Sequence, residues 1–95
     1  MKQKRPYNII LHTQAAKELK KIPKKNRQEI REKIDSLAHD PFPMGAAKLK
    51  GSANAYRLRA GDYRIVYEVN VTEIIVYIFG VMHRKEVYMR ILRRM

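Results

Sequence analysis

The spacing of apolar residues predicts a strand and then a helix at the start of the chain. The run Tyr7–Leu11 is rich in β-favouring residues and is typical of a short strand. It ends before Thr13, which can cap a helix that opens at Gln14. Apolar residues then recur at helical spacing until Pro23, which ends the pattern. We therefore expect one short strand followed by one short helix.

A second, longer helix is predicted after Pro23. Asn26 stands three residues before Glu29, a pair that is typical of a capping box at a helix start. The apolar stripe of this helix consists of Ile30, Ile34, Leu37 and Ala38. The segment Asp40–Gly45 then contains two prolines and a glycine, which suit neither a helix nor a strand. This segment is predicted to be a connecting loop.

Three strands are predicted in the second half of the chain. Tyr56–Arg59 and Tyr63–Val69 are joined by Ala60–Asp62, whose glycine can supply the positive φ of a tight turn, so the three segments predict a hairpin. After a turn at Asn70–Thr72, the segment Glu73–Phe79 is apolar at odd and even positions alike. This pattern is expected for a strand in the interior of a sheet that is covered on both faces.

The last segment and the order of the elements define the fold class. Arg84–Arg94 has its apolar residues on one face and arginines in its last two turns, which predicts a terminal helix. Helices thus precede a block of antiparallel strands. We expect an α+β fold of the order β-α-α-β-β-β-α, with an antiparallel-rich sheet packed against helices. The 95 residues suffice for one small domain, which would span residues 1–95.

Composition narrows the classes of partner. The chain has 21 Lys and Arg against 9 Asp and Glu, a formal net charge of +12, which favours a polyanionic partner. It has no Cys, so disulfide frameworks and thiolate sites are excluded and a reducing cytoplasm fits. No stretch resembles a signal peptide, a membrane-spanning helix or an interfacial helix. We expect a soluble, cytoplasmic protein that does not bind membranes.

The predicted hairpin contains the first candidate site. An even number of residues in its turn would pair Arg59 with Arg64, Leu58 with Ile65, Arg57 with Val66, and Tyr56 with Tyr67. This register separates apolar residues from arginines, whereas the odd register would mix them, so burial favours the even one. Three like charges on one face destabilise a sheet and invite an anion. Arg57, Arg59 and Arg64 are therefore either an anion site or an ordinary solvated sheet face.

A second candidate site follows the last predicted strand, at His83, Arg84, Lys85, Glu86 and Tyr88. A histidine can transfer a proton near neutral pH, and an arginine can hold a phosphate through two hydrogen bonds. A tyrosine can donate a hydrogen bond or stack on a base. Together these residues suit RNA cleavage, although His83 alone is more often an ordinary surface or capping histidine, and Tyr88 alone could equally be a core residue.

The sequence contains no motif for metal-dependent, nucleotide-dependent or cofactor-dependent catalysis. The histidines do not have the spacing of metal ligands, and the carboxylates do not form the pairs of a two-metal nuclease, so no metal is expected. Lys48–Ser52 lacks the spacing of a phosphate-binding loop, and no cofactor motif is present. The lysine pairs on either side of Pro23 either form a phosphate-binding corner or only keep the helices soluble.

Three segments together resemble a known family: Lys48–Gly51, Tyr56–Val69 and His83–Tyr88. Over nearly its whole length the chain is similar to the RelE toxins of the RelE/ParE superfamily, found in bacterial and archaeal toxin–antitoxin modules. The resemblance implies a RelE-like fold and a ribosome-dependent messenger RNA endonuclease that acts in the ribosomal A site and inhibits translation. It also implies a cognate antitoxin protein that binds the toxin and keeps it inactive.

The resemblance further implies roles for individual residues. Four arginines match basic positions that hold the phosphate: Arg57, Arg59, Arg64 and Arg84. Tyr88 matches a tyrosine that stacks on or orients the substrate. His83 matches a position that is histidine in many relatives, and it is the better general base because a guanidinium stays protonated. Docking on the ribosome would use Lys17, Lys20, Lys21, Lys24, Lys25, Lys48 and Lys50.

Two other functions remain open from the sequence. A ParE-type inhibitor of DNA gyrase needs no nuclease residues, so the arginines and the His and Tyr set argue against it. A non-enzymatic RNA-binding or ribosome-binding protein is the other possibility, because a charge of +12 alone gives salt-sensitive affinity for any polyanion.

Overall fold

A five-stranded sheet with two helices on one face forms the part of the chain that the computed structural model describes, residues 5–86. The strands are β1 Asn8–Leu11, β2 Ala47–Lys48, β3 Ala55–Ala60, β4 Tyr63–Asn70 and β5 Ile75–His83. The helices are α1 Thr13–Lys21 and α2 Lys24–Ser36. The predicted α+β class is confirmed. Of the predicted terminal helix Arg84–Arg94, the first three residues form a turn and the others lie outside the described residues.

The strands lie in the order β1-β5-β4-β3-β2. β1 pairs with β5 in parallel, and every other neighbouring pair is antiparallel. β5 therefore has a strand on each side, as its sequence predicts. Between residues 5 and 86, no helix is both long enough and apolar enough to cross a membrane.

The main core lies between the two helices and one face of the sheet. The helices and their caps contribute Ala15, Leu19, Ile22, Ile30, Ile34 and Leu37. The sheet contributes Leu58, Ala60, Ile65, Tyr67, Val69, Val76, Ile78 and Val81. The opposite face has a smaller cluster of buried residues, Leu49, Ala55, Val66 and Met82. Because successive strand residues point to opposite faces, the residues next to the main core in sequence are on the face away from the helices.

The start of α1 differs from its prediction by one residue. Thr13 is the first helical residue, so it is not the cap. The cap is His12, whose Nδ1 accepts a hydrogen bond from the Gln14 N–H at 3.0 Å. A ring nitrogen thus takes the acceptor role that hydroxyl and carboxylate oxygens usually have at this position.

The start of α2 also lies earlier than predicted. The helix begins at Lys24, directly after Pro23, which is its N-cap and makes no side-chain capping hydrogen bond. The interpretation of Asn26 and Glu29 as a capping box is therefore wrong. The restricted φ of proline, here −51°, allows the chain to enter the second helix as soon as the first has ended.

The strands at the two ends of the hairpin region differ most from their predictions. β2 has only two residues, too few to show an alternation, and the sequence does not predict it. β5 begins at Ile75 rather than Glu73, because the preceding turn is longer than expected. In that turn Asn70 Oδ1 accepts a hydrogen bond from the Glu73 N–H at 2.8 Å, and Ile74 has a positive φ of 58°.

A bulge in β5 determines which of its later residues face away from the helices. The predicted strand ends at Phe79, but β5 continues to His83. Its register with β4 shifts by one residue and skips Phe79. Beyond the bulge, Met82 pairs with Arg64 on the face away from the helices, and His83 pairs with Tyr63 on the helix side.

Candidate functional site

The hairpin of β3 and β4 adopts the predicted register. Arg59 lies opposite Arg64, and Arg57 lies opposite Val66. The apolar pairs on the other face are Leu58 with Ile65 and Tyr56 with Tyr67. The three arginines therefore share the face of the sheet that the helices do not cover.

Four arginines line one pocket on this face. The pocket has a volume of about 580 Å³, and its lining consists of Gly45, Ala47, Arg57, Arg59, Arg64, Arg84 and Lys85. Every charged residue in this lining is a cation. Guanidinium groups present their donors in a planar fork that matches two oxygens of a phosphate. The pocket, named here the arginine pocket, is thus suited to a phosphodiester.

Arg64 is held by the backbone of the hairpin turn. Its Nη1 donates to the carbonyl of Gly61 at 3.2 Å and to that of Tyr63 at 3.1 Å. Burial lowers the pKa of Arg64, and Asp62 partly opposes the shift. The neighbouring charges that lower this pKa further are those of Arg59, Arg57 and Arg84. A bound phosphate would neutralise this repulsion.

Arg84 reaches the arginine pocket from the turn after β5. Its N–H donates to the carbonyl of Asp62 in the hairpin turn at 2.9 Å. The turn itself is closed by the Glu86 N–H, which donates to the carbonyl of His83 at 2.9 Å, and by the Lys85 N–H, which lies 3.4 Å from His83 Nδ1. Backbone hydrogen bonds thus connect the end of β5 to the hairpin and bring their arginines together.

The sequence and the fold are similar to those of known proteins. A family model described as the ParE toxin of type II toxin–antitoxin system, parDE, matches residues 9–88. The chain belongs to the RelE/ParE family of toxins. The predicted resemblance is therefore confirmed, and the arginine pocket is a feature of a toxin of this family.

Individual relatives agree with this assignment. The toxin is 37% identical to Toxin RelE3 of Methanocaldococcus jannaschii over 76 residues, which cover 76% of this chain and 84% of that protein. It is 29% identical to the mRNA interferase toxin RelE of Escherichia coli over 92 residues, 93% of this chain and 96% of that protein. The toxin in the crystal structure of the archaeal RelE–RelB complex from Pyrococcus horikoshii superposes with a TM-score of 0.75 at 32% identity, covering 83% of this chain and 96% of that one.

Four of the six predicted catalytic residues of this RelE/ParE toxin lie together. They are the arginines of the pocket: Arg57, Arg59, Arg64 and Arg84. His83 does not join them, because it is the last residue of β5 and consecutive strand residues face opposite sides. Its ring lies edge-on to that of Tyr63 on the helix side, with the centroids 5.8 Å apart. The structure therefore places Arg84 in the arginine pocket and His83 outside its lining, and Tyr88 lies outside the described residues.

The predicted docking lysines are all exposed, and none lines the arginine pocket. Five of them lie on the helices and therefore on the opposite side of the sheet: Lys17, Lys20, Lys21, Lys24 and Lys25. The other two are Lys48, the last residue of β2, and Lys50, in the turn that follows. Ala47 lines the pocket, but Lys48 pairs with Tyr56, whose face of the sheet is the one that packs against the helices. The structure thus keeps these seven predicted docking lysines apart from the arginines of the pocket.

Sequence reasoning misses one wall of the pocket and one residue behind it. Gly45 and Ala47 form the wall, and the positive φ of Gly45, 96°, lets the loop after α2 turn into β2. The proline and glycine cluster before β2 indicates a turn but not a pocket.

Glu18 accepts a hydrogen bond from the Val81 N–H at 3.0 Å, and no pattern in α1 indicates this contact.

An apolar groove lies on the other side of the toxin, between β1 and the helices. Its volume is about 290 Å³, and its lining consists of Ile9, Leu11, Ala16, Leu19, Lys20, Arg27, Arg31, Ile34 and Asp35. β1 is an edge strand, and its residues Ile10 and Leu11 are 43% and 42% exposed. Exposed apolar side chains beside a strand edge are typical of a surface that binds another chain.

Proposed function

We propose that this toxin is a metal-independent endoribonuclease that cuts messenger RNA in the ribosomal A site and so inhibits translation. One observation carries the proposal: arginines from both strands of a hairpin and from the end of β5 converge on one pocket. The similar Escherichia coli protein is named an mRNA interferase toxin, which supports the same chemistry. An action on ribosomes would place the protein in the cytoplasm.

The proposed reaction uses the 2′-hydroxyl of the RNA as its nucleophile. A base removes the hydroxyl proton, and the 2′-oxygen bonds to the adjacent phosphorus. The bond from phosphorus to the 5′-oxygen then breaks, and that oxygen takes up a proton. The products are a 2′,3′-cyclic phosphate and a 5′-hydroxyl. Negative charge increases on the phosphate oxygens in the transition state, and fixed cationic donors stabilise it there.

The lining of the arginine pocket supports a reaction without a metal ion. Its cations repel a metal and attract a phosphodiester. Within the described range 5–86, no three side chains of His, Cys, Asp or Glu are grouped so that they could hold a metal ion. We therefore propose that the negative charge on the phosphate oxygens in the transition state is stabilised by Arg57, Arg59, Arg64 and Arg84.

The general base is a separate part of the proposal. The arginines stay protonated and cannot accept the hydroxyl proton. His83 is the predicted base, but from the helix side of the sheet it would reach the RNA only around the end of β5. We expect His83→Ala to slow cleavage less than Arg64→Ala does. Tyr88→Phe tests the predicted role of that hydroxyl in orienting the substrate.

Primer extension on a defined messenger, with and without translating ribosomes, tests the proposal. The wild type should cut within A-site codons only when ribosomes are present, and primer extension shows each cut as a new 5′ end of the downstream fragment. Arg64→Ala should slow cleavage about 100-fold, the effect of removing one donor to a developing oxyanion. Arg5→Ala is the matched control, because it removes the same charge from an exposed position before β1 that lines neither the arginine pocket nor the apolar groove. A 2′,3′-cyclic phosphate on the 3′ end of the upstream fragment identifies attack by the 2′-hydroxyl, and intact messenger under all conditions contradicts the proposal.

The matching family model favours a second candidate, inhibition of DNA gyrase by a ParE-type mechanism. A supercoiling assay separates the two candidates. Loss of gyrase activity without RNA scission would support the gyrase inhibitor. RNA that is retarded on a gel, with neither scission nor an effect on gyrase, would indicate a non-enzymatic RNA-binding protein.

A cognate antitoxin is the proposed protein partner. The similar Pyrococcus horikoshii toxin was solved as a RelE–RelB complex. The apolar groove beside β1 suits a segment that has apolar side chains for the groove and acidic ones for a chain of charge +12. Leu11→Asp should weaken the complex with the antitoxin and leave cleavage by the free toxin unchanged. A complex of unchanged affinity would mean that the antitoxin binds elsewhere.

A further inference from the structure

The bulge in β5 decides which of two consecutive residues joins the arginine pocket. In the observed register Arg64 pairs with Met82, so Arg84, two residues further along, comes to the same face. If the register before the bulge continued unchanged, Arg64 would pair with Val81, and His83 would take the pocket face instead. A shift by one residue therefore exchanges an arginine for a histidine in the pocket.

Glu18 of α1 holds β5 directly after the bulge. Its Oε1 accepts a hydrogen bond from the Val81 N–H at 3.0 Å, from a residue 63 positions later in the chain. On this side of β5 the neighbouring strand is β1, which ends at Leu11 opposite Ile78. Past that point a side chain of α1 takes the place of a strand partner. The bond is partly buried, and a carboxylate acceptor makes it a strong one.

We propose that Glu18 is a positioning residue of this toxin: through Val81 it holds β5 in the bulged register and so keeps Arg84 in the arginine pocket. The proposal rests on the proposed function, because it gives Arg84 a share in cleavage. Without Glu18, the Val81 N–H loses its acceptor in a partly buried place. β5 is apolar at both parities, so little burial opposes a slip of its last residues into the unbulged register.

Nuclear magnetic resonance of the full chain tests the register without a cleavage assay. The wild type should show a slowly exchanging Val81 amide and contacts between the rings of His83 and Tyr63. Glu18→Ala should speed the exchange at least about tenfold and weaken the ring contacts. Glu18→Gln keeps an oxygen acceptor and should preserve both signals, as should the control Glu32→Ala, which removes an exposed acid of α2. Slow exchange and intact ring contacts in Glu18→Ala would overturn the proposal.

A double-mutant cycle with Arg84 tests the consequence for cleavage. Glu18→Ala and Arg84→Ala should each lower kcat about 100-fold. The double variant should be no slower than Arg84→Ala, because both changes remove the same side chain from the pocket. Glu18→Gln should restore most of the activity. Losses that multiply in the double variant would overturn the proposal, since they would mean that Glu18 acts independently of Arg84.

Two alternative measurements distinguish a failure of the positioning role from a failure to fold or to cleave RNA. If Glu18→Ala does not fold, Glu18→Asp carries a carboxylate that is one methylene shorter and should show a smaller change in the same direction. If the wild type does not cleave RNA, the cycle is measured as affinity for an oligonucleotide that lacks the reactive 2′-hydroxyl. Coupled losses of that affinity would support the positioning role while the proposed cleavage fails.

Discussion

Tyr67 shows how one buried side chain connects the loop before β2 to the middle of the sheet. It is fully buried in β4, and its hydroxyl donates to the carbonyl of Pro41 at 2.9 Å. Burial raises the pKa of Tyr67, and Tyr56 and Asp40 raise it further, so the hydroxyl keeps its proton. We expect Tyr67→Phe to lower the free energy of unfolding by about 1–2 kcal/mol, because a buried carbonyl loses its donor. Urea unfolding at neutral pH measures this difference, and an unchanged midpoint would contradict it.

The raised pKa of Tyr67 also predicts a dependence on pH. In the unfolded chain this tyrosine ionises near its ordinary pKa of 10, whereas the folded protein retains the proton to higher pH. Above pH 10 the unfolded state therefore binds fewer protons than the folded state, and stability falls as the pH rises. The free energy of unfolding of the wild type should exceed that of Tyr67→Phe by the full amount at about pH 8 and by less at about pH 11. If this difference in the free energy of unfolding stayed constant over the range, the raised pKa of Tyr67 would be refuted.

At the scale of elements, the hairpin could be predicted because its two faces differ in chemistry. Only one register puts Leu58 and Ile65 on the buried face and the arginines on the other, and that register is observed. The helices could be predicted for the same reason, from their apolar stripes. Their first residues could not, because His12 is an unusual cap and Pro23 starts a helix without a side-chain hydrogen bond.

The direction in which the last residues of β5 point could not be predicted, because apolar and polar residues do not alternate in its sequence. A strand that is apolar at odd and even positions gives no signal for a bulge, and the bulge decides the face of every residue after it. The sequence therefore places His83 and Arg84 near the pocket but cannot say which one enters it. The contact of Glu18 with Val81 joins a helix to a strand over 63 positions, and local patterns do not encode it.

The turn of the hairpin provides a prediction at this scale. Ala60 pairs with Tyr63, so Gly61 and Asp62 form a two-residue turn, and Gly61 has a φ of 61°. We expect Gly61→Ala to lower the free energy of unfolding by about 1–2 kcal/mol, because a Cβ disfavours positive φ. Cleavage should also slow, since Arg64 is held by the carbonyl of Gly61.

Gly61→Asn is the control for this turn, because asparagine tolerates positive φ better than alanine does. Its unfolding free energy and its cleavage rate should both lie between those of the wild type and Gly61→Ala. Equal values for the alanine and asparagine variants would mean that the positive φ of Gly61 does not set the cost.

At the scale of the whole molecule, the sheet separates two groups of positive charge. The arginine pocket lies on one face, and the helices that cover the other face carry five of the predicted docking lysines. A net charge of +12 would attract any polyanion. The arrangement of the charges, rather than their sum, favours two separate contacts: a phosphodiester in the pocket and a larger RNA surface against the helices.

This separation predicts that the two groups of charge affect different steps. Replacing Lys20 and Lys21 with alanine should weaken binding to ribosomes and leave the affinity for a short, noncleavable RNA unchanged. Arg64→Ala should weaken binding of the short RNA and reduce its salt dependence by about one counterion. Filter binding at several salt concentrations measures both effects, and each variant is the control for the other. The lysine variant could instead weaken short-RNA binding as much as Arg64→Ala does. In that case the positive charges on both faces of the sheet would attract RNA together, and the two groups would not have separate roles.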